Sequence, residues 1–273
     1  MAERKRRHGK LYLLLMALAA AGAAIWVGSS VLSVEEFAFT GARLPAGWDG
    51  GRLVVLSDLH GKRFGRQNSR LLEAVRGAKP DVICLCGDMM DEWSGTEYLR
   101  PLLEGLVEIA PVYYVTGNHE SRIPQAFAQL EERMAAAGAQ ILRNQSLYWE
   151  REGQRVRLIG LDDPSFLVQE SQLEDHLHSL QDEDCYQILL SHRPELFDVY
   201  AAAGVDLSLT GHAHGGAAQR KAGVVAGGGN VELGGGELVN RSAGSGCCVG
   251  DQIGHGLGVA GAAPIDNCDL AHK

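Results

Sequence analysis

The chain has 273 residues, enough for one large domain or two small ones, and its 45% hydrophobic and 22% charged residues are typical of a globular protein. Its formal net charge is -9. A chain this acidic lacks the positive surface that nucleic-acid-binding proteins use, so we expect no nucleic acid partner. The six cysteines include no Cys-x-x-Cys pair, which argues against a zinc ribbon and leaves the redox compartment open.

The N-terminal segment joins a basic start to a long uncharged run. Residues 1–10 are rich in Lys and Arg, whereas residues 11–34 carry no charge. At about 1.5 Å per residue, a helix of that length crosses a hydrocarbon core of about 30 Å. The charge asymmetry predicts a single-pass membrane protein with residues 1–10 as a basic cytoplasmic tail and the rest of the chain on the extracytoplasmic side. The alternative is a cleaved signal peptide, although its apolar core is usually shorter, about 7–15 residues.

Beyond a lead-in at residues 35–50, short apolar runs alternate with helical patterns. Strands are predicted at residues 52–56, 82–86, 112–115, 156–161, 186–190 and 205–209. Helices are predicted at residues 68–78, 98–109 and 124–137. Short strands that alternate with helices are typical of an α/β sheet with helices packed on its faces.

The composition changes after Gly216. Residues 217–273 contain runs such as 227–229 and 234–236 that are entirely Gly, and they contain no Phe, Tyr or Trp. Such a segment buries little apolar surface and loses much backbone entropy when it becomes ordered. We interpret residues 217–273 as an atypical Gly-rich tail, with the hypothesis that it is out of frame.

Polar residues that can bind metal ions follow the ends of five predicted strands. They are Asp58, His60, Asp88, Asn118, His192, His212 and His214. Sites in open α/β sheets form at the carboxyl ends of the strands, so we expect these side chains to meet at one edge. A mixture of carboxylate, imidazole and amide ligands suits Mn, Fe or Zn better than Ca or Mg alone. Seven ligands exceed the need of one ion, which predicts two divalent metal ions that share a carboxylate.

Each candidate ligand also has an ordinary explanation when it is taken alone. Asp88 and Asn118 each follow a glycine and are typical turn residues. His192 fits a strand end, while His212 and His214 fit a solvated loop. The metal site is favoured because all of these residues follow predicted strand ends in one ordered series.

The ordered series resembles the motif set of a known family. Its strings are Asp58-x-His60, Gly87-Asp88-x-x-Asp91, Gly117-Asn118-His119-Glu120, His192 and Gly211-His212-x-His214. Over roughly residues 40–216 they are similar to calcineurin-like metallophosphoesterases, and with the apolar N-terminal run they look most like the bacterial membrane-associated phosphodiesterase branch. The resemblance implies a four-layer α/β/β/α sandwich, with residues 51–216 as the catalytic domain.

The resemblance also implies roles for most of these residues, but it leaves Glu120 without a defined role. One metal ion would be held by Asp58, His60 and His214, the other by Asn118, His192 and His212, and Asp88 would bridge them. A metal-bridging hydroxide would then attack the phosphorus atom. His119 would protonate the leaving oxygen or stabilise phosphoryl charge, and Asp91 would hydrogen-bond His119 and favour its protonated form. Arg122 and Arg193 are either phosphate contacts or ordinary surface arginines.

The family resemblance predicts an enzyme that hydrolyses phosphodiester, phosphomonoester or pyrophosphate bonds, with lipid or cell-envelope intermediates as a plausible substrate class. Two alternatives stay open. One is a catalytically impaired, membrane-anchored remnant, because the tail replaces the strands that complete the second sheet in relatives. The other is a metal-dependent nuclease, against which the acidic charge and the predicted anchor argue. The oligomeric state is not indicated.

Overall fold

The computed structural model describes residues 34–39, 41–167, 171–212, 247–249 and 257–262, together with Leu32 and some residues between 10 and 22. The chain divides into two compact units, Met1–Leu32 and Ser33–Lys273. In the first unit, residues 14–19 are helical. In the second unit lie all the strands and helices described below.

The predicted membrane anchor is the main correction to the sequence analysis. Within the part of the chain that the structure describes, no helix is both long enough and apolar enough to cross a membrane. The end of the apolar run is not helical, because Val34 begins a strand and pairs with Leu257. The prediction of an extracytoplasmic catalytic domain is therefore wrong. Most of residues 11–34, where the spanning helix was predicted, lie outside the described residues.

The described strands and helices of the second unit alternate along the chain. The strands are Val34–Phe39 (β1), Arg52–Leu56 (β2), Val82–Cys86 (β3), Val112–Val115 (β4), Gln140–Ile141 (β5), Gln145–Arg151 (β6), Gln154–Gly160 (β7), Tyr186–Leu190 (β8), Leu207–Leu209 (β9), Cys247–Val249 (β10) and Leu257–Ala262 (β11). The α-helices are Ser69–Ala78 (α1), Leu99–Val107 (α2), Asn118–Arg122 (α3), Pro124–Ala137 (α4), Ser171–Leu180 (α5) and Phe197–Ala202 (α6). The bounds of β2, β3, β4, β8 and α4 coincide with the predicted ones.

The strands form two mixed sheets in which parallel pairs dominate. The first sheet has the order β1-β11-β2-β3-β4-β5, and the second has the order β10-β9-β8-β7-β6. Strands β2 to β5 are parallel to one another, and so are β7, β8 and β9. The antiparallel pairs are β11 with β2 and β6 with β7. The predicted mixed α/β fold is therefore confirmed.

An apolar core joins the two sheets face to face. Alternate residues of the first sheet, such as Val55 and Cys84, pack in one cluster with Leu158, Ile188 and Leu207 of the second. The opposite face of the second sheet is also buried, because its other alternate residues pack against α5 and α6. Strands buried on both faces read as continuous apolar runs, which is why β3 and β8 were readily predicted.

The segment interpreted as a Gly-rich tail contributes two strands that the sequence analysis did not identify. Strand β11 lies between β1 and β2, and β10 pairs with β9. The sequence of β11 consists mostly of Gly and Ala, which give little strand signal. The rest of residues 213–273, including the predicted ligand His214, lies outside the described residues, and the frame hypothesis stays a prediction.

Candidate metal centre

Six of the seven predicted ligands meet at one edge of the molecule, at the carboxyl ends of β2, β3, β4, β8 and β9. They are Asp58, His60, Asp88, Asn118, His192 and His212. Asp58 and Asp88 are buried, as are Asn118 and His192. The edge is therefore lined by two buried carboxylates with imidazole and amide groups around them.

Asp88 lies at the centre of this set. Its Oδ2 atom is 3.2 Å from Nε2 of His192, 3.8 Å from Nε2 of His60 and 4.0 Å from Nε2 of His119. Two overlapping groups have ligand atoms within 4.8 Å of one another, one with His60 and His119 and the other with His192 and His212. Asp88 belongs to both groups, which is the arrangement that a bridging carboxylate requires.

The backbone is left-handed at four of the six ligands. The φ angles are 54° at Asp58, 43° at His60, 52° at Asp88 and 72° at His212. Residues other than Gly adopt this region at a cost, and such residues cluster at functional sites. The strands therefore end in tight turns that direct the side chains of these residues to one place.

Glu120 fixes the turn that carries Asp88. Its carboxylate is fully buried and accepts hydrogen bonds from the backbone N–H groups of Asp88 at 3.0 Å, Met89 at 2.8 Å and Gly117 at 2.9 Å. Burial and the nearby charge of Asp88 raise the pKa of Glu120 to about 7. The residue that the sequence analysis could not assign thus joins the loops after β3 and β4.

Asp58 is held by its own neighbour and by the last strand of the site. Its Oδ2 atom accepts hydrogen bonds from the Ser57 hydroxyl at 2.6 Å and from the backbone N–H of His212 at 2.9 Å. Its Oδ1 atom faces the centre, 3.7 Å from Nε2 of His60 and 4.0 Å from Nε2 of His192. One carboxylate oxygen therefore positions the turn while the other points to the ligand set.

His192 is oriented by a hydrogen bond that crosses between the sheets. Its Nδ1 atom lies 2.8 Å from the carbonyl oxygen of Cys86, which can only accept, so Nδ1 carries a proton and Nε2 faces the ligand set. Burial alone would lower the pKa of His192, but the adjacent carboxylates of Asp88 and Asp58 raise it to about 9. Nε2 of His192 is therefore directed to the two carboxylates.

The carboxylate beside His119 differs from the expected one. Nδ1 of His119 lies 3.1 Å from Oε2 of Glu92, and its backbone N–H donates to Oδ1 of Asp88 at 2.9 Å. Asp91, expected in that place, instead accepts hydrogen bonds from the backbone N–H groups of Trp93 and Ser94. These bonds lower the pKa of Asp91, although burial opposes them. Asp91 thus shapes the loop that presents Glu92, which the sequence analysis did not single out.

Arg193, a candidate for phosphate binding, is engaged by protein groups. It forms a two-pronged ion pair with the buried Asp163, through Nε to Oδ2 and through Nη2 to Oδ1, the latter at 3.1 Å. Its Nη1 atom lies 3.1 Å from Nε2 of His212. Asp163 is held in turn by the Thr116 hydroxyl, which accepts from its backbone N–H at 2.8 Å. Asp163 follows β7 without any recognisable motif, so no local pattern indicated its role.

Three buried polar atoms of the site lack a hydrogen-bond partner among the residues that the structure describes. They are Oδ2 of Asp88, Oδ1 of Asn118 and Nε2 of His192. Burial of such atoms without partners is costly, and all three can act as metal ligands. The residues present therefore fit divalent metal ions, and the chemistry of the donors favours Mn²⁺, Fe²⁺ or Zn²⁺.

Comparison with known proteins agrees with this geometry. The family model of the calcineurin-like phosphoesterases matches residues 51–216. The protein YpbG of Bacillus subtilis is 30% identical over 166 residues, which cover 60% of this chain and 61% of that protein. The metallophosphoesterase YkoQ of the same organism is 29% identical over 168 residues, and the phosphodiesterase YaeI of Escherichia coli is 28% identical over 171 residues, each with the same coverage.

The alignments thus span 61% of the length of these relatives. The family match covers more than half of this chain and contains the six described candidate ligands. The predicted family is confirmed, and the predicted enzyme class, a hydrolase of phosphoric esters, agrees with it. The chain belongs to the calcineurin-like phosphoesterase family.

Proposed function

We propose that this chain is a metal-dependent phosphoesterase that hydrolyses phosphodiester bonds, with phosphomonoesters or pyrophosphates as poorer substrates. The observation that carries the proposal is the position of Asp88, whose carboxylate belongs to both groups of candidate ligands. The preference for diesters is supported by the relative that is named a phosphodiesterase. Residues 51–216 would form the catalytic domain.

The ligands divide between two divalent cations. Asp58 and His60 would hold one, and Asn118, His192 and His212 would hold the other, with Asp88 shared between them. His214 is the remaining candidate for the first cation. When bound, such cations lower the pKa of a water molecule and neutralise the negative charge of phosphoryl oxygens.

His119 is the group best placed to move a proton. Its Nε2 atom is 4.0 Å from Oδ2 of Asp88, and its Nδ1 atom is 3.1 Å from Oε2 of Glu92. A protonated imidazole in this position donates a hydrogen bond from Nδ1 to Glu92 and presents its Nε2 proton to the leaving oxygen of the substrate. Arg122 donates to Glu92 at 3.4 Å and remains half-exposed, so it is open to a phosphoryl oxygen of the substrate.

The test is hydrolysis by the full chain after removal of metal ions. Chromogenic phosphodiester and phosphomonoester substrates are compared with and without added Mn²⁺, and Asp88→Asn and His119→Ala are assayed in parallel. We expect turnover that depends on Mn²⁺ and a higher rate with the diester. Loss of a general acid typically costs about 100-fold or more in rate, so His119→Ala should fall at least that far. Asp88→Asn removes the charge that both candidate ligand groups share, so it should abolish the turnover that depends on Mn²⁺.

Matched controls use residues of the same types away from the site. Asp198→Asn and His178→Ala change exposed side chains and should keep the activity of the parent protein. Folded protein that binds Mn²⁺ but hydrolyses neither substrate would instead support the impaired remnant. Turnover that survives Asp88→Asn would disprove the assigned metal centre.

A further inference from the structure

The contact between Arg193 and His212 occupies one ring nitrogen of a candidate metal ligand. Nη1 of Arg193 lies 3.1 Å from Nε2 of His212. A guanidinium group has five N–H donors and no acceptor, so Nε2 must be the acceptor in this contact. A neutral imidazole then carries its proton on Nδ1. Neither ring nitrogen of His212 therefore offers a lone pair to a cation while the contact persists.

The neighbouring ligand His192 shows the opposite arrangement. Its Nδ1 atom contacts the carbonyl oxygen of Cys86, which can only accept a hydrogen bond, at 2.8 Å. Its Nε2 atom has no hydrogen-bond partner among the described residues and lies 3.2 Å from Oδ2 of Asp88. The two imidazole rings are 5.0 Å apart, and Nε2 faces a carboxylate in His192 but a guanidinium donor in His212.

Arg193 has other acceptors to hold it when it leaves His212. Its Nη1 atom also lies 3.3 Å from Oε1 of Glu195, and its Nη2 atom lies 3.2 Å from the Ser165 hydroxyl. The two-pronged pair with Asp163 uses Nε and Nη2 and leaves Nη1 out. Nη1 can therefore give up His212 and keep Glu195 as its acceptor without breaking the buried ion pair.

We infer that Arg193 competes with a divalent cation for the lone pair of His212. The group of Asp88, His192 and His212 would bind its cation only after Arg193 has turned to Glu195, so this cation binds more weakly than the one beside His60. Arg193 is thus a positioning residue that sets metal affinity, not a contact for the phosphate. The inference rests on the proposed function, because it assumes that the centre binds two cations.

In the experiment, Mn²⁺ is titrated into the metal-free full chain. Binding is monitored by calorimetry and by the electron paramagnetic resonance signal of free Mn²⁺. The wild type should show one tighter and one weaker class of site. Arg193→Lys keeps the charge opposite Asp163 but lacks the planar fork that reaches two partners at once. We expect the dissociation constant of the weaker class to fall about tenfold, the size of effect that groups next to metal ligands usually have.

Two further variants complete the test. Arg143→Lys is the matched control, because Arg143 pairs through Nε with both carboxylate oxygens of the adjacent Asp162 and has no contact with His212 among the bonds described. It should leave both classes unchanged. Glu195→Gln weakens the alternative acceptor of Nη1, so the weaker class should bind Mn²⁺ several times less tightly. This exposed residue supplies the answer if Arg193→Lys fails to fold in a thermal melt.

The outcomes separate the inference from the proposed function. The inference would be overturned if neither Arg193→Lys nor Glu195→Gln changed the dissociation constants of the two classes of site. It would also be overturned if Arg193→Lys bound Mn²⁺ less tightly at the weaker class. Hydrolysis, measured separately, could persist in either case. A wild-type protein that binds no Mn²⁺ would overturn both the inference and the proposed metal centre.

Discussion

The two sheets hold their shares of the metal centre by different means. In the first sheet, Asp88 lies in a tight turn whose backbone N–H groups bond to the buried carboxylate of Glu120. In the second sheet, His212 contacts the side-chain ion pair of Arg193 with Asp163. The backbone clamp allows one arrangement, whereas the ion pair has a second acceptor within reach. One half of the centre is therefore rigid, and the other half is adjustable.

Gly87 lies where the two halves meet, so its substitution should have the largest effect on stability. Its φ angle is 81°, and a Cβ atom there would lie 2.7 Å from Cα of Gly117 and 2.7 Å from Nδ1 of His192. Strained backbone and overpacking together should make Gly87→Ala about 4 kcal/mol less stable in urea unfolding. Gly77→Ala is the control, because a Cβ atom there meets nothing within 4 Å and alanine favours the helix. A loss below about 1 kcal/mol would show that the two halves are not tightly joined here.

Removal of the Glu120 carboxylate should break the rigid half. Glu120→Gln keeps the shape but replaces one acceptor oxygen with an N–H₂ group that faces backbone N–H donors. Loss of a buried, charge-assisted hydrogen bond should lower the free energy of unfolding by about 3 kcal/mol. The measurement is urea unfolding, with the exposed Glu104→Gln as control. Equal stability of the two variants would contradict the clamp.

Removal of Asp163 should disturb the adjustable half and spare the rigid one. Asp163→Asn leaves the partly buried Arg193 without its charged partner, which should cost about 2 kcal/mol of stability. The freed guanidinium should also weaken the binding of the second Mn²⁺ ion and leave the first unchanged. A thermal melt measures the loss of stability, and calorimetric titration measures the binding of the two Mn²⁺ ions. Equal weakening of the binding of both Mn²⁺ ions would mean that the ion pair does not act on the adjustable half alone.

Substitution of Glu92 tests which carboxylate serves His119. Glu92→Gln removes the charged acceptor of Nδ1, so kcat should fall about tenfold with KM unchanged. Asp91→Asn should have a smaller effect on kcat, because the carboxylate of Asp91 bonds to the loop backbone. Steady-state kinetics with the diester substrate compares the two. A larger loss in Asp91→Asn would restore the role expected from the sequence.

The ligand set could be predicted because it depends on local pattern. Buried parallel strands give continuous apolar runs, and polar residues after them meet at one edge, where Asp88 and His192 lie. The partner of His119 could not be predicted, since Asp91 and Glu92 are adjacent and only the turn decides which one faces the imidazole. Arg193 and Asp163 are far apart in the sequence, and no local pattern predicts an ion pair between them.

The N-terminal run and the tail show the limits of composition. Hydropathy predicted a helix through Val34, but pairing with β11 makes that residue part of a strand. The Gly and Ala residues of β11 suggested irregular structure, yet its backbone bonds to strands on both sides. In both places the partner strand, which a local pattern cannot contain, decides the conformation.

The hydrogen bond from His192 to Cys86 joins the two sheets as well as orienting a ligand, because Cys86 ends β3 and His192 follows β8. A cation shared by Asp88 and His192 would cross the same boundary and act as a removable cross-link. Thermodynamic linkage then requires that any force or denaturant that parts the sheets also releases the cation. Metal occupancy would thus report how tightly the two sheets are packed against each other.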